Sequence, residues 1–255
     1  MLTRRSELAR LGSAALDLLF PRSCLGCRRR IAPGPAPLLL CARCRTRLEP
    51  VDRRAACRGC LRPLAPGGGP RPTCGGCRRR PPPFERALAL WRFRPPLDEV
   101  VRAFKFRGLD FLGGELARAA IEAGVLAELT DLDLVAPVPL PWPRRLVRGF
   151  NQAERLARPF ARALGLPLVE PLGRRALAPR QAGLARAERA ANAARSLRIR
   201  PDSRLAGRRI LLVDDVFTTG GTVAAAAALL AAQGAAAVVV LVAAWTPPEP
   251  PPELP

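Results

Sequence analysis

LLVDDVFTTGGT, residues 211–222, joins an apolar run to two adjacent carboxylates and then to a turn of threonines and glycines. Its flanks say where it lies. RRILLVDDV (208–216) is apolar without alternation, as in a strand buried on both faces, and GTVAAAAALLAAQG (221–234) is built of strong helix formers closed by Gly234. Strand, turn and helix in that order place Asp214 and Asp215 at the carboxyl end of a strand, where open α/β sheets receive ligands.

The same alternation extends outward in both directions. RALALWRF (86–93), LDLVAPVPL (132–140) and AAAVVVLVAA (235–244) have strand length and composition. ELARAAIEAGVLAEL (115–129) and NQAERLARPFARALG (151–165) have helical periodicity, the second with Asn151 as N-cap. Strands alternating with helices predict a parallel sheet covered on both faces over residues 84–245. The Pro-rich tail, 246–255, is expected to be disordered.

Backbone N–H groups at a helix start, with Thr218, Thr219, Gly220, Gly221 and Thr222, suit a phosphate group. The carboxylates repel a phosphate and need hydroxyl donors instead, which a sugar diol supplies. A ribose 5-phosphate satisfies both halves of the motif. An ordinary turn with solvated acids is the bland alternative, and it leaves two acids of a buried strand without a purpose. A nucleoside-triphosphate P-loop needs a lysine after its glycines, and the only lysine is Lys105, far upstream. A response-regulator receiver needs a later Asp and Lys, and neither follows Asp215.

All eight cysteines fall in four C-x2-C pairs: Cys24/Cys27, Cys41/Cys44, Cys57/Cys60 and Cys74/Cys77. Thirteen residues separate Cys27 from Cys41 and thirteen separate Cys60 from Cys74, which suggests an internal duplication. Two such knuckles complete the closed S₄ shell of a structural Zn²⁺ site, so two zinc ions are expected. Consecutive pairing follows the repeat, and cross-brace pairing fits the spacing as well. Four thiolates leave no open position for water, so this metal holds a fold together. The module, residues 1–83, ends at Pro81–Pro83, read as a linker; on that reading chelation melts the front module alone.

The formal charge is +21, from 42 Lys+Arg against 21 Asp+Glu, and residues 1–83 carry +14 of it. Such an excess favours nucleic acid or an anionic surface as partner, although Arg-rich composition alone is a competing account. Aromatic and basic residues interleave at WRFR (91–94) and FKFRG (104–108), the mixture that single-stranded DNA binding uses and that a half-buried strand also shows. No stretch has the length and apolarity of a membrane span, and Glu7, Arg10 and Asp17 interrupt the opening segment where a signal peptide needs an apolar core. The expected compartment is the cytoplasm.

VDDVFTTGGT resembles the phosphoribosyl-pyrophosphate (PRPP) motif of type I phosphoribosyltransferases. The whole chain resembles the ComF family of competence-associated proteins, through LLFPRSCLGC, the four cysteine pairs, FKFRG, PVPL with RRLVRGFNQ (144–152), RQAGL and the Arg189 to Asn192 spacing. The resemblance implies a type I phosphoribosyltransferase-like parallel sheet flanked by helices, preceded by a small zinc-ribbon module. It implies PRPP bound with Mg²⁺, a pyrophosphate loop after PVPL carrying Arg144, Arg145, Arg148 and Gly149, and a flexible loop with Arg175, Gln181, Arg189 and Asn192. Lys105 is either a further phosphate contact or a lysine snorkelling between two phenylalanines.

The family's setting, uptake of single-stranded DNA during natural transformation, implies DNA, a competence helicase or a membrane channel as partners. No residue pattern identifies the acceptor. With no histidine in the chain, a base must be a carboxylate or the substrate itself. An active phosphoribosyltransferase, a PRPP sensor in DNA handling and an assembly adaptor are the three readings.

Overall fold

In the computed structural model, residues 22–32, 34–65, 72–174, 196–201 and 203–247 are described. The opening segment, the tail from 248 and the loop positions Arg175, Gln181, Arg189 and Asn192 lie outside them.

Four parallel strands form the sheet in the order β1-β6-β5-β2: β1 Arg86–Arg92, β2 Leu134–Pro137, β5 Arg209–Phe217 and β6 Ala237–Trp245. Between them run helices α1 Leu97–Phe106, α2 Leu112–Glu122, α3 Trp142–Arg148, α4 Gln152–Leu164 and α5 Gly221–Ala232. A small antiparallel pair, β3 Leu172–Arg174 and β4 Leu197–Ile199, stands apart. The four expected strands and three expected helices are present. The 115–129 helix starts earlier and ends at Glu122, where Gly124 turns left-handed into a 3₁₀ segment, Val125–Glu128.

Alternation along the strands divides the core in two. Leu211, Val213, Val239 and Leu241 meet α1, α2 and α4 on one face. Ile210, Leu212, Val240 and Val242 meet α5 and the β3–β4 pair on the other. β5 and β6 are buried on both sides, which is why their sequences read as continuous apolar runs.

The two ribbons straddle the edge strand β1. Val51 N–H donates to Leu90 O at 3.0 Å and Arg92 N–H to Glu49 O at 2.8 Å, so the segment between the ribbons pairs with β1. The first ribbon packs Cys24, Leu25, Leu38, Leu40 and Cys44 into the α1/α2 core. The connector's Val51 and the second ribbon's Ala56 and Leu61 pack into the opposite one. Arg28 pairs with Glu99 of α1 at 2.8 Å, and Leu38 N–H donates to Glu115 of α2 at 3.1 Å.

This packing departs from the expectation of an independent front module. Zinc removal should therefore unfold the molecule in one transition, lowering Tm by about 10 °C or more, since a loss of several kcal/mol moves a domain of this size that far. Calorimetry with and without chelator checks this, and a sheet transition unmoved by chelation would restore the independent module.

Candidate functional site

The duplicated ribbons share several matching bonds. Cys41 N–H donates to Cys24 Sγ in the first and Cys74 N–H to Cys57 Sγ in the second, at 3.3 and 3.2 Å. Arg28 and Leu61 hold matching left-handed φ values, 63° and 64°. Cys24, Cys27, Cys41 and Cys44 converge in one cluster and Cys57, Cys60, Cys74 and Cys77 in the other, each set within 4.8 Å. The pairing is the consecutive one. A tetrahedral Zn²⁺ with Zn–S of ~2.3 Å spaces its sulfurs by about 3.8 Å, and Cys27–Cys41 and Cys60–Cys74 stand 3.8 and 3.7 Å apart. Burial pushes the Cys44 thiol up to about 12, helped by its neighbouring thiols. Burial also pushes Cys24 up, but backbone N–H groups of Cys41, Cys27 and Gly26 outweigh it and bring that thiol down to about 6. A cation at the centre removes the conflict between neighbouring thiolates.

The second site lies at the carboxyl ends of β5 and β2. A cavity of about 180 Å³ is lined there by Asp214, Asp215, Lys105, Arg144, Arg148, Asn151, Gln152, Arg174 and Thr222, with the prolines that follow β2. Asp214 and Asp215 lie within β5, which continues to Phe217 before the turn. Both carboxylates line the cavity, and Lys105, in the last turn of α1, pairs with one of them: its Nζ stands 2.9 Å from Asp215 Oδ1. The only lysine of the chain thus contacts the acidic pair.

Asp214 Oδ1 accepts the Asp215 N–H at 2.8 Å. Burial, then the neighbouring Asp215, raises its carboxyl to about 7, against weaker opposition from that N–H, Lys105 and Arg174. Arg174, on β3, donates Nε to Pro139 O at 2.6 Å and Nη1 to Ser196 Oγ at 3.0 Å. Burial lowers the Arg174 pKa, Asp214 opposes and Arg144 adds to the lowering. Burial lowers Arg148 in the same way, with Asp215 opposing and Arg144 adding. Cations crowded this closely around one cavity favour an anion there.

Arg148 Nη1 donates to Gln152 Oε1 at 3.0 Å, while Gln152 Nε2 is buried without a partner among the described residues. Asn151 is held by its cap: Oδ1 accepts from Ala153 N–H at 3.2 Å and Nδ2 donates to Val138 O at 3.1 Å. Sequence reasoning attached no role to Gln152 or Arg174. The first signal was a polar pair, Asn-Gln, opening an amphipathic helix; the second was one arginine among many.

The turn is Thr218–Gly220, with Thr218 and Thr219 exposed and Gly220 buried. Gly220 caps α5 with φ +76°, and a Cβ there would lie 2.5 Å from Phe217 Cζ. Gly221 and Thr222 open the helix, where backbone N–H groups lack intrahelical acceptors. The segment expected as a loop after PVPL is largely α3, with Gly149 as its left-handed C-cap outside the cavity lining. The aromatic–basic interleaving also moves. Trp91 and Phe104 are buried, whereas Phe106, Trp142, Leu146 and Val147 are exposed beside Arg144, Arg145 and Arg148. Arg148 Cζ lies 4.9 Å from the Phe106 ring centroid. Among the described residues no helix is long and apolar enough to cross a membrane.

Residues 15–78 match the double zinc ribbon domain and residues 151–253 the phosphoribosyl transferase domain. Among solved structures, adenine phosphoribosyltransferase from Saccharomyces cerevisiae is 18% identical, over 52% of this chain and 68% of that one, with a TM-score of 0.36. Adenine phosphoribosyltransferase from Thermoanaerobacter pseudethanolicus is 20% identical over 60% and 87%, with a TM-score of 0.35. Phosphoribosylpyrophosphate synthetase from Mycobacterium smegmatis is 20% identical over 58% and 44%, with a TM-score of 0.34. No curated protein matches the chain. The fold is a phosphoribosyltransferase-type parallel sheet flanked by helices, preceded by a double zinc ribbon with two Cys₄ clusters.

Because the folded protein holds the Asp214 proton up to about pH 7 and the unfolded chain loses it near 3.8, stability falls as pH rises between those values. Asp214→Asn should then raise the Tm of the ligand-free protein at pH 8 and leave it unchanged at pH 3.5, read by thermal denaturation at both pH values. Gly220→Ala should lower Tm at either pH, through the Phe217 contact and the positive φ.

Proposed function

We propose that the cavity binds PRPP with Mg²⁺ and that the protein transfers, or senses, the phosphoribosyl group. The observation that carries this reading is the acidic pair facing a ring of cations: Asp214 and Asp215 against Lys105, Arg144, Arg148 and Arg174 in one cavity. The ribose 2′ and 3′ hydroxyls donate to Asp214 and Asp215. The 5-phosphate lies in Thr218–Thr222 at the start of α5. Arg144, Arg148 and Arg174 face the diphosphate, and Gln152 Nε2 is a buried donor able to meet it.

The acidic pair also fits Mg²⁺, a hard cation that takes one or two carboxylates together with substrate phosphates. Asp214 and Asp215 would hold it, and it would supply charge neutralisation of the diphosphate. As the C1–O bond lengthens, positive charge grows on the sugar and negative charge on the departing group. The arginines stabilise the latter, and the carboxylates lie on the sugar side. Lys105 holds Asp215 in place until the hydroxyls arrive.

The chain has no histidine, and in the cavity Asp214 is the carboxylate whose proton affinity lies near neutrality. That supports Asp214 or the acceptor itself as the proton acceptor; a PRPP sensor that performs no transfer needs only the binding half of this site. Within the same proposal, the cytoplasmic setting and the partners in DNA uptake rest on the ComF resemblance. Contact with single-stranded DNA is supported by the +21 charge and by the exposed apolar side chains interleaved with arginines on α3. A helicase or membrane-channel partner for the zinc module has no support beyond the resemblance.

Calorimetric titration with PRPP, with and without Mg²⁺, tests the site. Binding should be saturable and Mg²⁺-dependent, and should strengthen from pH 6 to pH 8 as Asp214 loses its proton. The Asp214→Asn/Asp215→Asn variant should lose at least about 100-fold in affinity while staying folded, two charge-assisted contacts being worth ~3 kcal/mol or more. Unchanged affinity in that variant removes the assignment. For DNA, affinity for a single-stranded oligonucleotide should fall steeply between low and physiological salt and fall further in Trp142→Ala; a flat salt profile excludes phosphate contact.

A further inference from the structure

A second cavity, of about 240 Å³, lies at the seam between the second ribbon and the sheet. It opens beside Arg86, the first residue of β1, and so at the end of the parallel sheet opposite the acidic pair. The ribbon contributes Arg53, Arg58 and Leu61, the strand Arg86 and Ala87, and the 3₁₀ segment after α2 contributes Glu128. Three arginines and one glutamate thus line it, with Glu85 beside Arg86.

The pairing in this cavity is incomplete. Arg53 is engaged by the Glu128 carboxylate, and Arg86 reaches Glu128 O and, at 3.5 Å, Glu85. Arg86 Nε is buried and has no acceptor among the described residues. The Arg58 side chain is exposed at the ribbon and has no ion pair or hydrogen bond among them. A buried N–H without an acceptor costs stability, and an arginine with a spare edge is suited to a tetrahedral oxyanion. The cavity is smaller than the ~300–1,000 Å³ that holds drug-sized ligands.

We infer that this seam is a second anion site, taking a phosphate group, either free or carried by a small metabolite, and clamping the second ribbon to β1. Arg58 and Arg53 belong to the ribbon and Arg86 to the strand, so a shared oxyanion ties the two elements together without entering the acidic-pair cavity. The inference stands on residues separate from the PRPP reading.

Hydrogen exchange of the zinc-loaded full chain, with inorganic phosphate titrated against chloride at constant ionic strength, tests it. Phosphate should slow exchange saturably in residues 53–64 and 86–88, and do so equally in the Asp214→Asn/Asp215→Asn variant. Arg86→Gln should abolish the local protection. Arg58→Ala, at an exposed position that leaves the fold intact, should weaken it about tenfold at unchanged zinc content, as loss of one charge-assisted contact does. A glycerophosphate arm separates the sources: tighter protection than by phosphate assigns a carried group, equal or weaker protection the free ion. No local slowing at phosphate on the order of 10 mM, or slowing unchanged in Arg58→Ala, overturns the site.

Discussion

Everything in this molecule is referred to the main-chain pairing between residues 49–51 and β1. An edge strand of a parallel sheet presents unpaired N–H and C=O groups that invite foreign strands. Here the connector between two zinc ribbons satisfies them, through Val51 to Leu90 and Arg92 to Glu49, and at the opposite edge residues 167–169 do the same for Val135. Once the connector is fixed, the ribbons fall on opposite faces of β1 and each completes a different half of the core. Zinc then acts through geometry: by closing two knuckles it presents apolar residues that a chain segment this rich in Gly, Pro and Arg could not otherwise order.

The site shows the opposite economy. Two carboxylates sit side by side, and burial with the neighbouring Asp215 raises the Asp214 carboxyl against the weaker pull of Lys105 and Arg174. The arginines are themselves crowded, and among the described residues Gln152 keeps a buried donor without an acceptor. Such crowding of like charges is costly, and it is the kind of cost that the proposed ligand, with hydroxyls at one end and phosphates at the other, would offset. Stability and binding trade against each other at the same atoms.

The acidic pair, the zinc ligands and the sheet were legible because each breaks a pattern. Two acids in an apolar run, or cysteines that occur only in evenly repeated pairs, have few alternative explanations. Helix α1 was missed because Phe104 to Arg107 reads as alternation and hides the spacing of Leu97, Val100, Val101 and Phe104, all buried on one face. The resemblance implied a loop after PVPL, yet proline at a helix start is compatible with α3. Arg174 carried no signal, since one guanidinium among so many acquires meaning only when β3 brings it to the cavity that Asp214 lines. The triple proline looked like a spacer, whereas Pro82 lies against the second ribbon and would touch a side chain at Gly59.

The duplication bears finally on the order in which the chain can assemble. Contacts from the ribbons to β1, such as Val51 with Leu90, close short loops, while β1 meets β6 only through pairs such as Arg86 with Val239. Loop-closure entropy favours the nearer contacts. With metal bound, the ribbons can hold β1 extended, with one edge occupied and the other open, before the distant strand is available to pair with it. In that sense the zinc module is a template as well as a brace: it selects which edge of β1 is left for β6 to join.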